Sequence, residues 1–126
     1  MKANAKLSLT LLAGLALGAA ATEGLHAQAT PPVYVVNEVD ITDQAGFKTY
    51  ADAQTVLIQK NGGRYLARGG KITALDGAPP KRATLYVFDS AEKLKAWQDD
   101  PAEKDVWAMR EKVGKFRTFA VEGVAN

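Results

Sequence analysis

The residues of this sequence that could most readily do chemistry are one acid and one arginine on neighbouring predicted strands. Glu38 lies in a stretch rich in β-branched residues, and Arg68 ends a short segment flanked by Gly62-Gly63 and Gly69-Gly70. Side chains alternate along a strand, and this places both residues on the sheet face away from the helices. Arg68 would bind an anion or a carbonyl oxygen there, with Glu38 as base or orienting group. The alternative is a buried ion pair that fixes strand register.

Three further side chains complete the candidate ligand site: Tyr34, Trp97 and Arg110. Tyr34 lies on the first predicted strand and is either a phenol donor or a core aromatic residue. Trp97 lies on a helical face, where core or dimer packing is favoured over ligand stacking because an indole buries a large area. Arg110 follows Trp107 by three residues, so it either stacks on that ring or lines a pocket mouth.

Two other arginines and the glycine-rich segment are interpreted as structural. Arg64 and Arg82 precede or open predicted strands, and we expect them to be solvated surface residues. The glycines of residues 62–70 do not form a dinucleotide-binding fingerprint, because their spacing is wrong and they do not open a helix.

The first 29 residues have the layout of a secretory signal peptide. Lys2 and Lys6 precede a mainly apolar run over residues 7–21, and Ala27-Gln28-Ala29 supplies small residues for cleavage. An uncleaved anchor is disfavoured, because this run of 15 residues is shorter than the roughly 20 needed to span a bilayer. We therefore expect an exported protein, periplasmic or secreted, with residues 30–126 as a single domain and no membrane association after cleavage.

Composition excludes several kinds of site. The chain has no cysteine, and its only histidine, His26, lies in the segment expected to be removed. Histidine-ligated haem, thiolate zinc sites and histidine-assisted nucleophiles are then excluded, while a carboxylate-only metal site stays open. Residues 30–126 carry 14 basic and 13 acidic side chains. Neither nucleic-acid binding nor a cofactor is indicated.

The pattern of hydrophobic residues predicts the order strand, helix, two strands, broken helix, strand. The predicted elements are a strand at Val33–Ile41, a helix from Asp43 to about Lys60, a strand at Arg64–Arg68, a short extra strand at Lys71–Leu75, a central strand at Ala83–Asp89, a helix capped by Asp89-Ser90, a helix restarting at Asp100-Pro101-Ala102-Glu103, and a strand at Phe116–Glu122. This order is the ferredoxin-like βαββαβ motif of the α+β class, with a four-stranded antiparallel sheet.

One sheet face should lack a cover within a single chain. The residues predicted on it are mostly apolar: Tyr34, Val36, Leu66, Leu85 and Val87. Because an exposed apolar sheet of this kind is normally covered, we expect a homodimer.

The glycine-rich segment also carries a family resemblance. The run Gly63-Arg64-Tyr65-Leu66-Ala67-Arg68-Gly69-Gly70 resembles the signature of the domain-of-unknown-function 1330 family. Further matches are Pro80-Lys81-Arg82, Phe88-Asp89-Ser90-Ala91-Glu92 leading to Trp97, Asp100-Pro101 with Arg110, and Val121-Glu122-Gly123. The resemblance covers Val33 to Val124.

The resemblance implies a dimeric α+β barrel, in which two ferredoxin-like sheets enclose a space. Similar barrels include small monooxygenases, lactone isomerases, haem-binding enzymes and stress-response proteins, and the family itself brings no established activity. Many members have Ser-Pro-Glu-Tyr where this chain has Asp99-Asp100-Pro101-Ala102-Glu103. Any role of that tyrosine therefore does not carry over.

Three functions remain open from the sequence. The first is a homodimer that binds a small organic ligand in the barrel cavity. The second is a cofactor-free enzyme, an oxygenase or an acid–base isomerase, that uses Glu38 and Arg68. The third is a structural or stress-response dimer whose cavity is filled by side chains. Fold alone does not choose among them.

Overall fold

The computed structural model describes residues 30–125, and the signal peptide predicted at residues 1–29 lies outside them. The elements are β1 (Val33–Ile41), α1 (Gln44–Lys60), β2 (Arg64–Arg68), β3 (Arg82–Phe88), α2 (Ala91–Gln98), α3 (Glu103–Ala108), α4 (Arg110–Val113) and β4 (Gly114–Glu122). The predicted βαββαβ order of an α+β, ferredoxin-like domain is confirmed.

The four strands form one antiparallel sheet in the order β2-β3-β1-β4. The most apolar strand, β3, is central, as predicted. All helices pack on the same face, where two hydrophobic clusters meet Val35 and Val39 of β1. Phe88 and Trp97 dominate one cluster, and Phe47 the other.

Helix α1 contributes Tyr50, Gln54 and Thr55 to the polar groups described below. Its N-cap is Asp43, whose carboxylate accepts a hydrogen bond from the Gly46 amide at 3.1 Å. In the sequence, Phe47, Tyr50, Ala51, Gln54, Leu57 and Ile58 recur at i, i+3, i+4, i+7 spacing, which predicts an amphipathic stripe. The side chains that the helix buries follow this stripe: Phe47, Tyr50, Gln54, Leu57 and Ile58. Gly63 allows strand β2 to leave the helix closely, since a Cβ there would lie 2.6 Å from the Ile58 side chain.

Strand β2 contains a bulge that changes which face its last residue occupies. The pairing with β3 shifts between Tyr65 and Ala67, so that Leu66 is the extra residue. An extra residue reverses the alternation of all that follow. Arg68 therefore lies on the helix face, and the prediction that it shares the open face with Glu38 was wrong.

Two predicted elements differ in the structure. Residues 71–75 form no strand, so the sheet ends at β2 on this side. Pro101 and Ala102 form a turn after Asp100, and the helix restarts only at Glu103.

The second sheet face is open: no element among residues 30–125 packs on it. Cross-strand pairing places on this face Tyr34, Val36, Leu85, Val87, Phe119 and Val121. Phe119 is 48% exposed and Val121 is 51% exposed. Within residues 30–125, no helix is both long enough and apolar enough to cross a membrane.

Candidate functional site

A set of polar and aromatic side chains is enclosed between α1 and the sheet, and we call this space the inner cleft. It is lined by Asn37, Phe47, Tyr50, Ala51, Gln54, Ile58, Tyr65, Arg68, Arg82, Thr84 and Tyr86. Asn37, Gln54 and Thr84 are buried there. The cavity has a volume of about 30 Å³, which is roughly the room one water molecule takes.

Arg68 lies at the mouth of the inner cleft. Its Nη2 donates to Thr55 Oγ1 at 2.7 Å, and its guanidinium lies 4.5 Å from the centre of the Tyr65 ring. The Tyr65 hydroxyl is 3.1 Å from the same Thr55 oxygen. The bulge in β2 is what directs Arg68 toward α1 rather than away from it.

Arg82 borders the same cavity from the start of β3. Its guanidinium lies 5.1 Å from the Phe47 ring centre and packs against Gly69, where a Cβ would overlap it. Gly69 also has a φ of +66°, which favours glycine. Arg82 is half-buried and its Nε is fully buried without a hydrogen-bond partner in the described chain. The expectation of a solvated surface arginine was wrong for this residue.

Neither of these two arginines has a carboxylate partner among residues 30–125. Arg64, by contrast, is 4.0 Å from Asp89. Two guanidinium groups thus border one cavity whose other lining residues are neutral. Such a site is electropositive and has donors available for an anion.

Arg110 is buried beneath the helices and hydrogen-bonds to residues of the sheet. Its Nη2 donates to Asn37 Oδ1 at 2.7 Å and also to Thr118 Oγ1. Its guanidinium stacks 3.9 Å from the centre of the Trp107 ring and 4.1 Å from that of Phe116. Burial lowers the pKa of Arg110 from its ordinary value. The predicted stack on Trp107 is present, and Arg110 also lines a shallow recess together with Trp107 and Phe116.

Gln54 connects the inner cleft to a buried acid. Its Oε1 accepts from Trp97 Nε1 at 3.0 Å, and its Nε2 donates to Glu103 Oε1 at 2.6 Å. Glu103 is only 4% exposed, and its Oε2 has no hydrogen-bond partner in the described chain. Burial raises the pKa of Glu103, partly offset by the hydrogen bond from Gln54.

Two tyrosines of the cleft are held as neutral phenols. Burial raises the pKa of Tyr50 and, more strongly, that of Tyr86. Both can therefore donate a hydrogen bond but are poor bases.

The residues predicted to form one ligand site lie in three places. Tyr34 and Glu38 are on the open sheet face, where Glu38 Oε2 accepts from Arg117 Nε at 2.6 Å. Arg68 is at the cleft mouth. Trp97, 2% exposed, is a core residue that stacks on Phe88 at a ring-centre distance of 5.6 Å, and Arg110 is buried. The Glu38–Arg68 pair does not form, because the bulge separates the two side chains onto opposite faces.

Several polar residues of the buried network were missed as site candidates: Asn37, Gln54, Thr84, Glu103 and Thr118. The signal for Gln54 and Asn37 was present, since each interrupts an apolar stripe on a core-facing surface. Glu103 was interpreted only as a helix-capping residue. Among residues 30–125, no group of three or more acidic or histidine side chains is placed to hold a metal ion.

A comparison with curated proteins gives no significant match. Among solved structures, a protein of unknown function from Rhodopseudomonas palustris is similar, with 12% identity, a TM-score of 0.63, and coverage of 83% of this chain and 94% of that one. SnoaB, a cofactor-independent oxygenase from Streptomyces nogalater, gives 9% identity, a TM-score of 0.52, and coverage of 73% and 92%. A dimeric ferredoxin-like protein of unknown function from Thermobifida fusca gives 13% identity, a TM-score of 0.49, and coverage of 75% and 92%.

The structural matches are too distant in sequence to indicate more than the fold. The family comparison is more specific, because the model of the domain of unknown function DUF1330 matches residues 32–124. That range spans β1 to β4 with every helix between them. The chain therefore belongs to the DUF1330 family.

Proposed function

We propose that this chain is an exported homodimeric protein that binds a small organic anion at the mouth of the inner cleft. The observation that carries the proposal is that Arg68 and Arg82 border one cavity and that neither has a carboxylate partner among residues 30–125. Arg68 is exposed at the cleft mouth, whereas Arg82 Nε is buried without a hydrogen-bond partner among residues 30–125. Because a buried donor is normally paired, this arrangement supports an anion site.

A carboxylate is the anion that suits this mouth. Guanidinium groups bind carboxylates through two parallel hydrogen bonds, which gives both affinity and orientation. The cavity behind the mouth has a volume of about 30 Å³, so it has room for a water molecule but not for the body of an organic ligand. The carboxylate would therefore lie between the arginines, with the rest of the ligand outside.

The homodimer is supported by the open sheet face. Phe119 and Val121 are each about half exposed in the single chain, and neighbouring positions on the face are also apolar. A second copy placed face to face would cover this surface. Export is supported by the composition of residues 1–29, and the mass of the protein isolated from a cell envelope fraction measures it: an uncleaved chain would contradict export by this route.

The anion site is tested with benzoate and its neutral isostere benzamide by isothermal titration calorimetry. We expect saturable binding of benzoate, and a roughly tenfold or larger loss of its affinity in Arg68→Gln and in Arg82→Gln. Arg64→Gln is the matched control, because Arg64 pairs with Asp89 outside the cleft. Absence of benzoate binding, or an equal loss in all three variants, would contradict the proposal.

The dimer is tested by native mass spectrometry of the wild type and Phe119→Glu. The wild type should have twice the mass of one chain, and the added charge on the open face should give monomers. Leu75→Glu is the control, since Leu75 is 96% exposed in the loop before β3. A monomeric wild type, or a dimeric Phe119→Glu, would show that this face is not the interface.

The structure conflicts with an enzyme that uses Glu38 and Arg68 together. Such an enzyme requires the acid and the arginine in one cavity, and they lie on opposite faces of the sheet. The likeness to the oxygenase SnoaB is a likeness of fold and brings no residue roles to this chain.

A further inference from the structure

A wide recess lies between α2 and α3, away from the open sheet face. Its volume is about 650 Å³, which is within the range of small-molecule sites. We call it the helix recess, and its main lining residues are Trp97, Asp99, Asp100, Glu103, Lys104 and Trp107. These residues comprise two tryptophans, three acids and one lysine.

The acids of the helix recess differ in how they are paired. Asp99 Oδ2 is 2.6 Å from Lys95 Nζ. Asp100 Oδ2 is 3.1 Å from both Lys60 Nζ and Asn61 Nδ2, and its Oδ1 accepts from the Ala102 amide at 3.0 Å. These two carboxylates already have the donors that they need.

Glu103 is the exception. Its side chain is almost fully buried, Oε1 accepts from Gln54, and Oε2 has no donor among the described residues. Leaving a buried carboxylate oxygen without a hydrogen bond is costly. A ligand that brings a donor, and above all a positive charge, would remove that cost.

The aromatic rings indicate the rest of the ligand. Trp97 and Trp107 meet edge to face at a ring-centre distance of 6.2 Å, and Trp107 is 43% exposed. Arg110 covers part of Trp107 but does not line the helix recess. An aromatic surface beside a carboxylate is the combination that recognises an ammonium group attached to an apolar body.

We propose that the helix recess is a second binding site that takes a primary amine with an aromatic or aliphatic body. Glu103 Oε2 is itself buried in the ligand-free chain, so the carboxylate turns toward the helix recess to accept from the ammonium. The body of the ligand packs on the exposed part of Trp107. This site is distinct from the anion site at the cleft mouth and does not depend on it, because Arg68 and Arg82 do not line the helix recess.

The test uses the fluorescence of the protein itself. Trp97 and Trp107 are the only two tryptophans in the chain, and both line the helix recess. Purified protein is titrated with phenethylamine and with its neutral analogue 2-phenylethanol. We expect a saturable fluorescence change with phenethylamine, and affinity for the alcohol that is at least roughly tenfold weaker.

Glu103→Gln identifies the acceptor. It should weaken phenethylamine binding by roughly tenfold or more and leave the weak binding of 2-phenylethanol unchanged. Lys71→Glu, in the loop before β3, is a control for general surface charge and should leave phenethylamine binding unchanged. Equal binding of the amine and the alcohol to the wild type, no saturable change with either, or full amine affinity in Glu103→Gln would overturn the proposal.

A second variant keeps the test decisive if circular dichroism shows that Glu103→Gln does not fold. Lys104 is exposed at the rim of the helix recess, so Lys104→Glu should leave the fold intact. It removes the repelling cation and should tighten phenethylamine binding without affecting 2-phenylethanol. Unchanged or weaker amine binding in this variant would overturn the proposal.

Discussion

The inner cleft and the helix recess have unpaired groups of opposite charge. The cleft has two guanidinium groups, those of Arg68 and Arg82, without a carboxylate partner in the described chain. The recess has a carboxylate oxygen, Glu103 Oε2, that accepts from no donor among residues 30–125. Gln54 contacts both, since it lines the cleft and donates to Glu103.

These buried groups differ from the charged groups on the exposed helix surfaces. On the exposed helix surfaces, acids and lysines pair at i and i+4, as Lys48 does with Asp52 and Lys95 with Asp99. Such pairs satisfy each other and have little energetic effect. Arg82 Nε and Glu103 Oε2 differ from these pairs, because each is buried without a hydrogen-bond partner among residues 30–125.

The two tryptophans of the helix recess should differ strongly in their effect on stability. Trp97→Ala should reduce the free energy of unfolding by about 3–5 kcal/mol, because it removes a buried core ring. Trp107→Ala should cost about 1–2 kcal/mol, since that ring is partly exposed. Urea denaturation measures both, and similar losses would show that Trp107 is part of the core rather than a wall open to ligand.

Gln54 is the shared element, so changing it should affect both regions. Gln54→Leu leaves Trp97 Nε1 and Glu103 Oε1 without partners, and we expect a loss of about 2–3 kcal/mol in the free energy of unfolding. Gln59→Leu, on the exposed face of the same helix, should change it by less than about 0.5 kcal/mol. Equal effects in urea denaturation would mean that the buried hydrogen bonds of Gln54 do not stabilise the fold.

Replacing Gly69 should displace the Arg82 guanidinium at the inner cleft. Gly69→Ala combines a positive φ with an overlap on the Arg82 guanidinium, so we expect a loss of about 1–2 kcal/mol in stability and weaker benzoate binding. Gly70→Ala is the control, because a Cβ there meets no atom within 4 Å. A Gly69→Ala variant with unchanged benzoate affinity would show that the position of Arg82 does not matter for the anion.

The smallest effect should appear in the pH dependence of stability. The pKa values of two acids of the helix recess are shifted in opposite directions, so the two acids should change stability with pH in opposite ways. Hydrogen bonds from Asn61 and from the Ala102 amide lower the pKa of Asp100 below its ordinary 3.8. Its contribution is therefore present above pH 3.8 and is lost as the pH falls through the lowered value.

Glu103 should act in the other direction. Burial raises its pKa above the ordinary 4.5. The negative charge of Asp100 also raises this pKa, and the positive charge of Arg110 lowers it. Stability should fall as the pH rises from 4.5 through the raised value, since the fold binds the proton more tightly than the unfolded chain does. The melting temperature is measured as a function of pH. Asp100→Asn should reduce the loss of stability at low pH, and Glu103→Gln should reduce the loss that follows as the pH rises above 4.5. A Glu103→Gln variant that keeps the wild-type loss above this pH would show that Glu103 does not titrate there.

The periodicity of the sequence was enough to predict most of the fold. The stripe of α1 and the alternation of β1 both matched the buried positions, because each pattern reflects a single interface along one element. The same alternation predicted the open apolar face. The family followed from short motifs spread along the whole domain.

The candidate sites could not be predicted in the same way. The bulge at Leu66 moved Arg68 to the helix face, and a bulge depends on pairing with β3 rather than on the local sequence. Gln54 and Glu103 lie 49 positions apart in sequence, and only helix packing brings them within 2.6 Å.

The sequence by itself therefore determined the order of elements, their buried faces and the family, since these depend on residues close together in the chain. Only the tertiary structure decided which charged groups lack a partner. That property depends on every neighbour in space at once, and most of those neighbours, such as Gly69 beside Arg82 and Gln54 beside Glu103, are contributed by other elements of the fold.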